Sequence, residues 1–221
     1  MSEIDDRFVD SMHEWHALVL GQKVVKALKK NDFDAHYIES EADLLKRLSA
    51  MIKPGDSVAF GGSQTVKQLG IPEMVSGIPA AILDHNAPGL DAAQKIEVMR
   101  RQQVCDVFIC SANAVTADGH IYNVDGNGNR VSAMIFGPKK VIVIAGTNKI
   151  CHDEASAWER IKSLAAPVNM KRLNRDTPCT TTGYCMDCNS SDRGCKAYLI
   201  LKKRPSLTDF SVFIINKPLG F

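Results

Sequence analysis

The sequence predicts an α/β protein, a mainly parallel sheet flanked by helices, and three observations carry that prediction. Residues 58–60, 80–83, 106–110 and 141–145 form compact, continuously apolar segments, the character of parallel strands buried on both faces. Amphipathic helical patterns separate several of them, the alternation expected of an α/β sheet. The chain of 221 residues, 45% of them hydrophobic, is long enough for a substantial buried core.

Taken in order, Ile4, Phe8, Met12, Trp15, Leu18, Val19, Val25 and Leu28 recur at steps near three and four and predict an amphipathic helix over 4–30. Gly21 is expected to bend or divide it. Residues 35–38 make a short strand, and Ser40-Glu41-Ala42-Asp43 resembles a capping box opening a helix with Leu44, Leu45 and Leu48 inward. Lys53-Pro54-Gly55-Asp56 is a turn. Residues 91–103 should turn Ile96 and Met99 inward, with Lys95, Arg100 and Arg101 in solvent, while 153–165 place Trp158, Ile161 and Leu164 on one stripe. After Pro167 the pattern changes. A turn-rich cysteine segment leads into strand candidates at 197–202 and 211–216, separated by Arg204-Pro205-Ser206, which should form a hairpin or a sheet extension. No linker forces a cut, so 1–221 reads as a single domain, with a cysteine-rich segment at 177–196 and a strand extension at 197–221.

Lys and Arg number 27 against 25 Asp and Glu, too balanced for a dedicated nucleic-acid or anionic-membrane binder, although a local basic patch is allowed. No run approaches the roughly eighteen apolar residues of a membrane span. The start Met1-Ser2-Glu3-Ile4-Asp5-Asp6 lacks the basic and apolar regions of a secretion signal, and the seven cysteines are an odd number. Both point to the reducing cytoplasm. Apolar positions on the first helix fit either a homodimer contact or packing against the domain.

Three segments carry candidate chemistry. The first is Val58-Ala59-Phe60-Gly61-Gly62-Ser63-Gln64-Thr65. Its glycines let a ligand approach the backbone, and Ser63 or Thr65 can cap the next helix or donate to an anion. It lacks the residues of a P-loop or of a full dinucleotide fingerprint. A tight strand-to-helix turn with Ser63 as N-cap explains it equally well.

The second runs from Ser111 to Arg130, unusually polar beside apolar neighbours. Asp118-Gly119 signals a hairpin, and Asp125-Gly126-Asn127-Gly128 a turn. Loops beyond the carboxyl ends of parallel strands are also where ligands bind, and Arg130 at a helix start could fix a carboxylate or phosphate. His85, preceded by Asp84, and His120 are acid–base candidates, but neighbours on a strand point to opposite faces, so Asp84 need not orient His85.

The third is C-x5-C-x2-C-x6-C, formed by Cys179, Cys185, Cys188 and Cys195. Four thiolates can enclose one tetrahedral zinc or an iron–sulfur cluster, and ligand count does not select between them. Arg193 and Lys196 could offset the charge. Free thiols, or disulfides formed on oxidation, are the alternatives. Cys105, Cys110 and Cys151 read as small buried hydrophobes.

Gly61-Gly62-Ser63-x-Thr65, the segment from Asn113-Ala114-Val115-Thr116-Ala117-Asp118-Gly119 to Gly128-Asn129-Arg130, Phe136-Gly137-Pro138-Lys139-Lys140-Val141, Gly146-Thr147-Asn148-Lys149-Ile150 and the cysteine block together resemble the LUD (lactate-utilisation domain) family over nearly the whole chain. Thr177-Pro178-Cys179 and Asp187-Cys188 resemble a subgroup with a cysteine-rich tail. The resemblance implies a fold related to ribose-5-phosphate isomerases, CoA transferases and regulatory subunits of a translation initiation factor. In that group ligands sit over strand ends. The implied pocket has Gly61, Gly62, Ser63 and Thr65 on one wall, Asn113, Thr116, Asp125, Asn129 and Arg130 on another, and Asn148 and Lys149 on a third.

The family takes its name from operons that oxidise lactate to pyruvate, where such proteins accompany iron–sulfur partners. The eight-cysteine ferredoxin pattern of the larger partners is absent here, so any electron transfer would use the single Cys179–Cys195 site. Three functional classes follow. One is an accessory protein of organic-acid oxidation that binds a small anionic metabolite and holds a cysteine-ligated metal centre. Another is an enzyme acting on a phosphorylated or thioester metabolite, with a structural zinc. The third is a metabolite-sensing assembly module.

Overall fold

The computed structural model describes residues 6–221; Ile4, predicted to open the first helix, lies outside them. Helix α1 (Asp6–Lys30) leads to β1 (Asp34–Ile38), α2 (Glu41–Met51), β2 (Ser57–Phe60), the short helices α3 (Gln64–Gln68) and α4 (Ile71–Ser76), and β3 (Ala81–Leu83). Next come α5 (Ala92–Arg101), β4 (Val107–Cys110), the hairpin of β5 (Ala114–Thr116) and β6 (Ile121–Asp125), α6 (Asn129–Ile135), β7 (Lys140–Gly146) and β8 (Ile150–Cys151). Helices α7 (Glu154–Arg160), α8 (Ala166–Arg172) and α9 (Cys179–Thr182) precede β9 (Ala197–Leu201) and β10 (Asp209–Ile215).

Six strands form one sheet in the order β1-β10-β7-β4-β2-β3, and all its pairings are parallel. The α/β prediction therefore holds. Side-chain alternation builds two cores from the same strands. Phe108, Val141, Val143, Val212 and Ile214 face Val24 and Leu28 of α1. Ile109, Ile142, Ile144, Phe213 and Ile215 face Leu44 and Leu48 of α2 and Val66 and Val75 of α3 and α4. A second sheet, β8-β5-β6-β9, carries α7 over Ala114 and Tyr122.

The two C-terminal strands do not pair with each other. β9 runs antiparallel to β6 in the small sheet, whereas β10 inserts between β1 and β7 in the large one. Its run Phe210–Ile215 is almost fully buried, the mark of an internal strand.

Local expectations were mostly met, with physical reasons for the exceptions. Ser40 caps α2 by accepting from the Asp43 backbone N–H at 3.2 Å, but Asp43 turns to Arg47 instead of completing the capping box. Helix α1 is unbroken at Gly21. That glycine is there for contact, since a Cβ would lie 2.3 Å from Cε2 of Tyr37. Ile96 is 49% exposed, because α5 reaches the body through Val98. Leu164 is also exposed. A wide π turn over Ile161–Ala165 advances the register so that Ala165 and Ala166 take the inward positions. The same turn makes room for Pro167, whose ring would strike the carbonyl four residues back in a regular helix, and the helix continues to Arg172.

Phe8, Met12, Trp15 and Val19 on α1 are exposed. No helix among the described residues is long and apolar enough to cross a membrane.

Candidate functional site

Because β2, β4 and β7 are parallel neighbours, their carboxyl ends deliver three loops to one edge of the sheet. Over that edge lies a cleft of about 540 Å³. Gly62, Ser63 and Thr65 come from the β2 loop, Ser111–Asn113 from the β4 loop, and Lys149 from the end of β7. The turn through Asp125–Arg130, α8 and the chain around Arg193–Lys196 close the remaining sides.

Lys149 lies at the floor, 3% exposed. Its Nζ donates to Thr65 Oγ1 and Ser111 Oγ, both at 2.9 Å, and to the Ala112 carbonyl at 3.1 Å. All three acceptors are uncharged. Burial foremost, then the nearby Arg160 and Arg130 guanidinium groups, lower its pKa to about 7. Arg160 also ties the floor together: Nη1 donates to the Asn113 carbonyl at 2.6 Å and Nε to the Asn148 carbonyl at 3.0 Å.

The second wall is built on Asp125 and Arg130. The Asp125 carboxylate accepts from the backbone N–H groups of Gly126, Arg130 and Val131, so it caps α6. Gly128, at φ +82°, supplies the left-handed turn before the helix. The Arg130 guanidinium folds back onto carbonyl oxygens of the β4–β6 region. Asn113 Oδ1 accepts from Val124 N at 2.8 Å as well as from Arg130.

Of the sequence-predicted pocket residues, Gly62, Ser63, Thr65, Asn113, Asp125, Asn129, Arg130 and Lys149 line the cleft. Gly61 lies behind the lining, close to Cys110 and Arg130, with a Cβ contact of 3.1 Å in prospect. Ser63 Oγ accepts from Val66 N at 3.3 Å as the N-cap of α3. Thr116 belongs to the β5–β6 hairpin, where its hydroxyl bonds Asp118 and accepts from His120 N. Asn148 pins the end of the chain by accepting from Leu219 N at 3.0 Å. Neither lines the cleft.

His85 lines it and is buried, held by Gln102 at 3.2 Å; Asp84 instead accepts from Asn86 N. His120 pairs with Asp118 in the hairpin, away from the cleft. Sequence reading opened its second candidate segment at Ser111 without giving that residue a pocket role, and missed Gln102 and Arg160 as parts of the site. Ser111 had a local signal, a lone hydroxyl directly after an apolar strand; the other two gain their roles from contacts distant in sequence.

All four tail cysteines are free thiols, as are the other three. Arg193 organises their loop, donating to the carbonyls of Cys188 at 2.6 Å and Cys195 at 2.7 Å and to the Asp187 carboxylate at 2.7 Å. Burial pushes the Cys195 thiol up to about 11, and Cys185, Cys179 and Cys188 add to the rise. Four cysteine sulfurs in one short segment are the donor type that zinc or an iron–sulfur cluster takes. Among the described residues, however, no three Cys, His, Asp or Glu side chains are grouped closely enough to hold a metal ion. Cys195 also lines a second cavity of about 490 Å³ with Cys185, Trp158, Tyr184 and Tyr198.

A comparison with curated proteins finds no match. Among solved structures, a DUF162 family protein from Deinococcus radiodurans is similar over 91% of this chain and 98% of that chain, at 11% identity and a TM-score of 0.50, a likeness of fold. Shorter alignments join eIF2B beta from Chaetomium thermophilum over 52% of this chain and 44% of that chain (18% identity, TM-score 0.36). Ribose 5-phosphate isomerase from Plasmodium falciparum aligns over 51% of this chain and 52% of that chain (9% identity, TM-score 0.32). The model of the LUD domain matches residues 21–215, nearly the whole of the α/β fold and its cleft, and the chain belongs to the LUD domain family.

Proposed function

We propose that this protein is a lactate-utilisation-type accessory protein in organic-acid oxidation, binding a small organic anion in the cleft and carrying a cysteine-ligated metal centre beside it. The observation that carries the reading is the charge of the cleft. Among the described residues, eight Lys or Arg side chains line it against two side-chain carboxylates. Asp125 is engaged by backbone N–H groups, and Asp192 faces Arg175 at 3.7 Å. A concave site in which cations outnumber carboxylates, even with Arg193 paired to Asp187, favours an anionic ligand.

The residues that would hold the metal are Cys179, Cys185, Cys188 and Cys195. When bound, an iron–sulfur cluster supplies one-electron transfer to iron–sulfur partner proteins, whereas zinc supplies only a tie for the loop. The chain's own contribution is placement. Arg193 holds the loop through the Cys188 and Cys195 carbonyls, and Cys195 lines both the cleft and the second cavity.

The test has two arms on protein purified without oxygen: iron, zinc and acid-labile sulfide per chain, and calorimetry with lactate, pyruvate and phosphate. Iron with sulfide, lost in Cys188→Ser, together with organic-acid binding, is the expected result. Zinc alone would remove the redox role. Absence of binding by all three anions would overturn the proposed ligand class.

A further inference from the structure

The floor of the cleft holds an amine in an environment that an anion-binding role does not require. Among the described residues Lys149 has no carboxylate partner within hydrogen-bond reach; its three partners are two hydroxyls and a carbonyl. A lysine meant only to attract anions serves well when exposed and fully charged. Here the ammonium is taken out of water and set near two guanidinium groups, an arrangement that favours the free amine, the nucleophilic form.

We infer that Lys149 is a covalent capture site for carbonyl-bearing carboxylates, 2-oxo acids in particular, whose ketone carbon its Nζ converts to an imine. The inference rests on the cleft being the organic-anion site proposed above. The Nζ lone pair adds to the carbonyl carbon, and the carbonyl oxygen takes up a proton to give a carbinolamine. That intermediate then expels its oxygen as water, leaving a C=N bond. Both hydrogens of the amine depart with the oxygen, and nothing is oxidised or reduced.

Two features suit the step. Thr65 Oγ1 and Ser111 Oγ, each 2.9 Å from Nζ, stand where a proton must pass from nitrogen to oxygen, and hydroxyls can both accept and donate it. The cationic lining would hold the carboxylate while the adjacent carbonyl meets the amine. The charged or titratable groups acting on Nζ are Arg160 from α7, Arg130 from α6 and Cys110 from β4. An amine with pKa about 7 is about half neutral at neutral pH, whereas an ordinary lysine near pKa 10.4 is neutral in roughly one molecule per few thousand.

The test is reductive trapping. Full-length protein is incubated with pyruvate and cyanoborohydride at pH 7, with lactate, which has no ketone, as control. Intact mass and peptide mapping then locate any adduct. The expected result is a mass gain of pyruvic acid less one oxygen atom, confined to Lys149 and absent with lactate. Its yield should exceed that on an ordinary exposed lysine by about a hundredfold or more. In wild type the trapping rate should climb through about pH 7 and level off, a readout that needs no variant; Lys149→Met should abolish the adduct. A rate still climbing beyond pH 9, or labelling spread over surface lysines, overturns the inference. Calorimetric binding of pyruvate without an adduct overturns the imine alone, and absence of both overturns the anion site with it.

Discussion

Arg130 donates through Nη2 to the Val124 carbonyl at 2.7 Å, so a cation that the sequence offers as a ligand-binding arginine is first a structural clamp. Nη1 reaches the Ser111 carbonyl at 3.1 Å and Asn123 Oδ1 at 2.8 Å. Nη2 also reaches Asn113 Oδ1 at 3.3 Å. The clamp fixes the β4 loop against β6, while its charge still faces the cleft. Lysine keeps the charge but cannot reproduce the planar fork. Arg130→Lys should therefore cost about 2–4 kcal/mol of stability in urea denaturation, through stranded acceptors. Anion affinity should stay within about fivefold, as the charge is retained. Unchanged stability with a collapse in affinity would show a directly coordinating arginine instead.

Burial of Lys149 makes stability depend on pH with a definite sign. Its pKa of about 7 in the folded protein lies below the roughly 10.4 of an unfolded chain. Above pH 7 the unfolded state holds more protons, so this residue makes stability rise with pH; below pH 7 both states are protonated and the full cost of burying the charge is felt. Lys149→Met lacks that slope. The stability advantage of the variant over wild type should shrink by roughly 2 kcal/mol from pH 7 to 9, measured by denaturation at each pH. A constant difference would mean that the buried amine keeps its proton.

Periodicity and turn chemistry were legible in the sequence because they are local. Alternate residues of the 141–145 run face the two cores as a parallel strand requires, Ser63 caps its helix, and Asp118-Gly119 turns the hairpin between β5 and β6. Partner choice was not legible. Nothing within 209–215 says that the strand enters between β1 and β7, since register depends on what else is buried. The site divided the same way. The loops over the strand ends could be found from the strands, but polar residues there serve either ligand or backbone. Thr116 and Asn148 proved to be tied to the backbone, and the near-total burial of Lys149 comes from neighbours as remote in sequence as Thr65 and Ser111.

Gly21 tests the reading of a helix glycine as a contact. In an open helix, Gly→Ala stabilises by about 1 kcal/mol. At this position the new methyl would stand 2.3 Å and 2.7 Å from ring atoms of Tyr37, and overpacking of this kind costs about 1–3 kcal/mol. Gly21→Ala should be net destabilising on its own and become stabilising in a Tyr37→Ala background. The double-mutant cycle reads that coupling directly. Stabilisation by Gly21→Ala in wild type would show that the ring moves aside without cost.

The state of His85 follows from its neighbours. Gln102 Nε2 donates to the Leu83 carbonyl at 2.8 Å and the Phe60 carbonyl at 3.2 Å. Carbonyls only accept, which fixes the amide and turns Oε1 toward His85 Nδ1 at 3.2 Å. Nδ1 must then carry the hydrogen, leaving Nε2 to accept from Asn86 Nδ2 at 3.3 Å. The imidazole thus lines the cleft with its Nδ1–H engaged behind it. Nitrogen-15 shifts of His85 should report the Nδ1–H tautomer in wild type. Gln102→Leu should release that tautomer and, by orphaning two buried carbonyls, cost about 1–3 kcal/mol. An Nε2–H tautomer in wild type would overturn the assignment, because Nδ1 and Gln102 Oε1 would then be two acceptors facing each other.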